Sequence, residues 1–207
     1  MPFIYPDAPH VRKHGPEGLV QYQGYKDWLR DEFTFRCVYC LERERWYPNG
    51  HHGFGVDHVL PKGEEEFAHL RCHYPNLVYA CNRCNSAKGS NILIDPCADA
   101  FAAHLLVDED GEIEGLTVEG KRVVNDLGLD LRGPTDKRKE QIIILRLYRE
   151  YPENELVRFL YLNAFGFPND LPDLSEHTRT KNAIPDGVMQ SYYSQHEART
   201  LPETYGV

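Results

Sequence analysis

The apolar and polar positions divide the chain into short apolar runs in its first half and longer helical periods in its second. Two short runs, Val56-Asp57-His58-Val59-Leu60-Pro61 and Asn76-Leu77-Val78-Tyr79-Ala80, are bounded by turn formers. Gly53 and Gly55 precede the first, Pro61 and Gly63 close it, and Pro75 precedes the second. Runs of this length between Gly and Pro predict the two strands of a hairpin. From Cys81 the alternation stops, and Asn82 to Lys88 predicts a short helix that Gly89 ends. Upstream, Trp28, Leu29, Phe33 and Phe35 recur among charged residues, predicting a helix within Tyr25 to Phe35 with Trp28 as a core anchor.

Beyond Gly89, Asn91 to Pro96 reads as an extended apolar strip. Runs at 104–107 and 112–116 around Asp108-Glu109-Asp110-Gly111 predict a second hairpin. Three helical periods follow. One runs from Thr117 to Leu127 before Gly128. One starts at Thr135, carries Ile142, Ile143, Leu145 and Leu147 on its apolar side, and stops at Pro152. One spans Glu153 to Ala164. Met1 to Gly24 has no sustained period and reads as an arm or loop, and the alternating charges at Leu41 to Gly50 as a solvated local stretch. Pro168 to Val207 reads as a tail with one short helix near Gly187 to Glu197. The expected organisation is an arm and short helix over 1–35, a core over 36–95, and a hairpin, helices and packed tail over 96–207.

Length and charge narrow the function. The 207 residues suffice for one domain with a sizeable core. A net charge of −9 argues against avid nonspecific binding to nucleic acid. No apolar run approaches the length of a membrane span, and Met1-Pro2-Phe3 is followed by charge rather than a secretory segment, so a reducing cytoplasm is expected. The best basic stretch is Arg132, Lys137, Arg138, Lys139, Arg146 and Arg149. Lys137, Arg138 and Lys139 are the expected duplex-backbone contacts there, against the alternative of a solvated helix face.

Cysteine spacing adds the chemistry. Cys37-Val-Tyr-Cys40 and Cys81-Asn-Arg-Cys84 are two Cys-x-x-Cys pairs, the arrangement of a closed four-sulfur structural zinc site. Their separation exceeds that of a compact zinc ribbon, so the metal closes a loop that carries the predicted hairpin. Cys72 and Cys97 stand outside the paired spacing and read as small buried or partly exposed thiols.

The ordered set Asp57-His58, Asn76-Leu77, then Cys81-x-x-Cys84-Asn85-x-x-Lys88 resembles the HNH nuclease family. The resemblance implies an α+β fold: a ββα-metal (His-Me finger) core stapled by the four-cysteine zinc site, with a mainly helical C-terminal elaboration. His58, Asn76 and Asn85 fall on the three family positions, so the chain is an HNN variant. An amide oxygen ligates a hard cation, so this variant is compatible with activity. The implied activity is metal-dependent hydrolysis of DNA phosphodiesters. By resemblance Asp57 and Asn85 hold a single Mg²⁺ or Mn²⁺, and Asn76 braces the loop. Arg83 and Lys88 on the helix are further expected phosphate contacts.

Phosphodiester cleavage asks for a base independently of the family, and His58 is the residue suited to take a proton from water near neutral pH. In an ideal pleat Asp57 points away from His58, so a shared site requires a twist or bulge between them. The segments YPDAPHVRKHGP, FRCVYC and YACNRCNSAKG also resemble stand-alone bacterial HNH endonucleases, many from phage defence or mobile elements. Two other classes remain open: a catalytically silent zinc-stabilised module that binds nucleic acid or protein, and a hydrolase with a second zinc site at Cys72-His73 and His51-His52. Expected partners are DNA and, for double-strand cutting, a homodimer or a partner protein of a defence system.

Overall fold

The computed structural model describes residues 3–177 and 180–206. In chain order the strands are β1 Pro16–Glu17, β2 Phe54–His58, β3 Leu77–Cys81, β4 Leu105–Val107, β5 Ile113–Gly115 and β6 Lys181–Asn182. The helices are α1 Lys26–Glu32, α2 Asn82–Lys88, α3 Val118–Leu127, α4 Arg132–Glu150, α5 Glu155–Phe165, α6 Asp186–Met189 and α7 Tyr192–Glu197. The fold is mixed α/β, and its sheets are antiparallel pairs: β1 with β6, β2 with β3, β4 with β5. No described helix is long and apolar enough to cross a membrane. The chain divides into two compact units, one of 11–92 and 168–202, the other of 1–10, 93–167 and 203–207.

The first unit is built on the β2–β3 hairpin, with Val56 opposite Tyr79 and Asp57 opposite Val78. Every residue of β3 is buried, so it reads as a continuous apolar run rather than an alternating one. Helix α2 follows β3 without a linker. Cys81 caps it by accepting from the Cys84 amide, and Gly89 ends it at φ 54°, a conformation that favours glycine. Helix α1 contributes Trp28 and Leu29 to the core.

The stretch after Cys40 departs from expectation. Glu42, Arg43 and Glu44 are buried, not solvated. Arg30 of α1 binds Glu44 through two nitrogens at 2.9 Å each, and the Tyr79 hydroxyl donates to the same carboxylate at 2.6 Å. Charge alternation marks a surface only when no partner waits inside, and here a bidentate arginine does.

The tail is woven into this unit. β6 pairs with β1, Asp31 accepts from the Tyr192 amide at 2.7 Å and bonds His14 Nε2 at 2.8 Å, and Asp170 reaches Arg30 and His51. In place of one short helix there are two, because Ser191 breaks the run and caps α7 through the Ser194 amide.

In the second unit, α3 packs on the β4–β5 hairpin, and Phe3, Tyr5, Phe101, Leu105, Val123, Leu127, Ile142, Leu145 and Phe165 form its core. Thr117 and Gly128 bound α3 as N-cap and left-handed C-cap. On α4, Ile142 and Leu145 face inward, whereas Ile143 and Leu147 are exposed. The contact of α3 with the hairpin needs Gly120, where an added Cβ would collide with the His104 carbonyl oxygen. Gly120→Ala is therefore expected to cost about 1–3 kcal/mol, lowering the melting temperature by roughly 2–10 °C. A melt unchanged from the native chain would show that the contact yields freely.

Candidate functional site

Two pieces of chemistry share the hairpin and α2: the cysteine cluster and the surroundings of His58. Cys37, Cys40, Cys81 and Cys84 are all buried, none is disulfide-bonded, and their sulfurs lie within 4.8 Å of one another. The Cys40 and Cys81 sulfurs stand 3.7 Å apart. Zinc–sulfur bonds of ~2.3 Å in a tetrahedron put sulfurs ~3.8 Å apart, so the cluster is compatible with a structural zinc. The first knuckle closes by a Leu41-to-Cys37 backbone bond, with Leu41 in the left-handed region at φ 59°.

Burial pushes the Cys37 and Cys40 thiols well up, while bonds from Cys37, Cys40 and Cys84 pull Cys81 down. A metal would displace the remaining protons. Arg83 turns its guanidinium to the Cys84 sulfur at 3.5 Å, the place of an outer charge partner for the cluster rather than of a phosphate contact.

Asp57 and His58 leave β2 on opposite faces, with no bulge between them. Asp57 lies on the α2 side and is 3% exposed. One oxygen accepts from the Tyr39 hydroxyl at 2.7 Å. The other accepts from the His58 amide at 2.8 Å and faces Lys88 Nζ at 3.5 Å. Burial and the neighbouring carboxylate push the Tyr39 phenol well up, so it stays a donor. Lys88, expected on the outside of its helix, is buried and donates to the His58 carbonyl at 2.6 Å. Its ammonium is spent inside the protein.

His58 faces the other way. Its Nε2 donates to the Arg71 carbonyl at 2.9 Å, which fixes the tautomer and leaves the Nδ1 lone pair without a hydrogen-bond partner among the described residues. Burial is the main influence lowering its pKa, with Lys62 and Lys88 adding to it, so the ring is neutral at physiological pH. Asn76 spans the loop, accepting from the Leu60 amide at 2.8 Å and donating to the Leu60 and Leu70 carbonyls. Asn85 donates to the Val56 carbonyl at 3.4 Å.

Asp57 and Asn85, the expected Mg²⁺ or Mn²⁺ ligands, are not left without protein partners. Asp57 already has donors on both oxygens, the Lys88 ammonium stands beside it, and His58 lies across the strand from it. His51, His52, Cys72 and His73 do not assemble a second zinc site. Among the described residues the four cysteines are the one metal-capable group, His51 bonds Asp170 at 2.7 Å, and the Cys72 thiol donates to the Val20 carbonyl. In the second unit Arg138 is buried and bound to the Gly111 and Leu129 carbonyls, so it is not a phosphate contact, while Lys139 pairs with Glu112 at the surface. Lys137 is exposed.

Three residues around His58 carry no motif: Tyr22, whose ring edges against the imidazole at 4.6 Å, and the cations Lys62 and Arg71. Tyr22 sits in an aperiodic stretch, and no spacing signals its approach.

Fold and site define a mixed α/β protein with a hairpin–helix element tied by a buried four-cysteine cluster that can hold a structural metal such as zinc. Compared with the known protein families and with characterised proteins, the chain matches none.

Proposed function

We propose that the hairpin–helix element is a ββα nuclease core of the HNH type and that the protein is an endonuclease, hydrolysing DNA phosphodiesters with His58 as the base that activates water. The observation that carries this reading is the geometry of His58: its ring is oriented through Nε2 by a backbone carbonyl, with Nδ1 left to accept a proton, and burial, which lowers its pKa, favours the neutral form that a base needs. Zinc at the four cysteines is the staple that holds α2 and the first knuckle to the hairpin. Asn76 keeps the loop that supplies the Arg71 carbonyl in register with His58. Residues within 1–10 and 93–167 add the helical elaboration, and DNA from phage or mobile elements is the substrate the motif resemblance favours.

The test is nicking of supercoiled plasmid by the native chain and by His58→Ala, each first shown to hold zinc and to melt cooperatively. A general base contributes typically 10²–10⁴-fold, so a loss of about that size is expected. Because the His58 pKa lies below its ordinary value of ~6.5, activity should persist through mildly acidic pH and fall only as pH drops through that lowered value. Equal nicking by both proteins would sink the assignment.

One observation favours the second reading, a zinc-stabilised binding module without turnover: Asp57 is buried, accepts on both oxygens and has the Lys88 ammonium beside it, a charge with which a catalytic cation would compete. DNA binding with no nicking under Mg²⁺ or Mn²⁺ would decide for it.

A further inference from the structure

We infer that Lys62 and Arg71 form a phosphate clamp over His58, and that Tyr22 is the lid which the phosphate displaces. The inference rests on the reading of His58 as the reacting centre and names how the substrate reaches it. His58 is only 4% exposed, although its Nδ1 has no hydrogen-bond partner among the described residues. The group over it is Tyr22, from the segment preceding α1, whose ring packs edge-on at 4.6 Å. Two exposed cations flank that ring. Lys62 Nζ lies 4.1 Å from its centroid and donates to its hydroxyl at 2.6 Å, and the Arg71 guanidinium carbon lies 5.9 Å from the centroid. Arg71 is also the residue whose carbonyl orients His58, so the clamp and the base share one backbone segment.

The chemistry favours an exchange of partners. A phenol is a weak, neutral acceptor for an ammonium, and a phosphate oxygen makes the stronger charge-assisted bond. Arg71 presents a planar fork suited to two phosphate oxygens, and Lys62 a point charge. A phosphodiester entering between them takes Lys62 away from Tyr22, removes the hold on the ring, and comes to rest beside Nδ1. The ligand is a backbone phosphate of a nucleic acid. Lys62 and Arg71 supply two exposed cations at this point in a chain whose net charge is −9.

The test uses the full zinc-loaded chain in a His58→Ala background, so that binding is read without cleavage, with a fluorescein-labelled DNA duplex as probe. Each phosphate contact contributes about 0.9 to the slope of log affinity against log salt. The pair Lys62→Ala and Arg71→Ala should therefore reduce that slope by about 2, whereas Lys137→Ala with Lys139→Ala should leave it unchanged. Both positions of the clamp are exposed, so their truncation leaves the fold intact. In the native chain, Tyr22→Ala should raise the rate at which diethyl pyrocarbonate modifies His58 severalfold, read by peptide mapping.

An unchanged slope in the Lys62/Arg71 variant, no DNA binding at all, or an equal loss in the Lys137/Lys139 control overturns the clamp. An unchanged modification rate overturns the lid. Native protein that fails to nick plasmid while its slope still falls on removing the clamp would retain the phosphate site and reject the nuclease, so the two failures are separable.

Discussion

Replacing Cys84 by serine is expected to unfold the unit that carries β2, β3 and α2, rather than merely to weaken it. The four sulfurs join three parts of the chain at one point: the knuckle after α1, the end of β3 and the first turn of α2, where Cys81 is also the helix cap. Apparent binding energies of structural zinc are about 10–16 kcal/mol near pH 7, as large as the whole stability of an ordinary domain at ~5–15 kcal/mol. Without the ion the cluster also leaves four buried sulfurs facing one another. Elemental analysis should find one zinc per native chain, and chelation should abolish its cooperative melt. A metal-free Cys84→Ser protein melting at the native temperature would show that the cluster is not a folding element.

The second large effect is expected at Lys88. Lys88→Ala leaves the Asp57 carboxylate buried with only the Tyr39 hydroxyl and the His58 amide to satisfy it, and strips the His58 carbonyl of its shortest donor. Removing one member of a buried ion pair costs about 3–5 kcal/mol. Because both side chains are almost fully enclosed, solvent screening does little to reduce this. Lys88→Met combined with Asp57→Asn removes both charges and should cost markedly less, the difference being the strain of an unpaired charge. Urea unfolding of the native chain, the single variant and the double variant measures this directly. Equal losses in the single and double variants would show that Lys88 acts through packing alone.

The elements readable in the chain share a common property: their signals are local. Helix α2 runs over Asn82–Lys88 and stops at Gly89, as its composition indicates, and α3 lies between Thr117 and Gly128. The cysteine spacing likewise brings its four sulfurs together. Helix α4 starts at Arg132 rather than Thr135 because Pro134 falls in the first turn, where a missing N–H breaks no bond.

What the chain did not disclose depends on distant partners. The two-residue strands β1 and β6 are too short to leave a period, and pair across most of the sequence. Glu42, Glu44 and Arg138 look like surface charges until Tyr47 for Glu42, Arg30 and Tyr79 for Glu44, and two backbone carbonyls for Arg138 supply interior partners. Lys88 has the sequence position of an exposed helix lysine, and only the approach of β2 to α2 turns it inward. At the site, the order of Asp57, His58, Asn76 and Asn85 is visible, and the pleat already sets Asp57 and His58 on opposite faces of one strand, but not that Tyr39 and Lys88 close around Asp57.

The unit bearing His58 is assembled from two stretches, 11–92 and 168–202, interrupted by the other unit. During synthesis the cysteines, β2, β3 and α2 emerge first, whereas β6, Asp170 and Tyr192, which complete the surroundings of β1, Arg30 and Asp31, arrive only after 93–167 has been made. At about 5–20 residues per second that interval lasts on the order of several seconds. A ribosome that stalls or terminates within it releases a half-finished unit with strand β1 unpaired and Asp31 lacking its amide donor, so completion of this unit waits on residues 168–202.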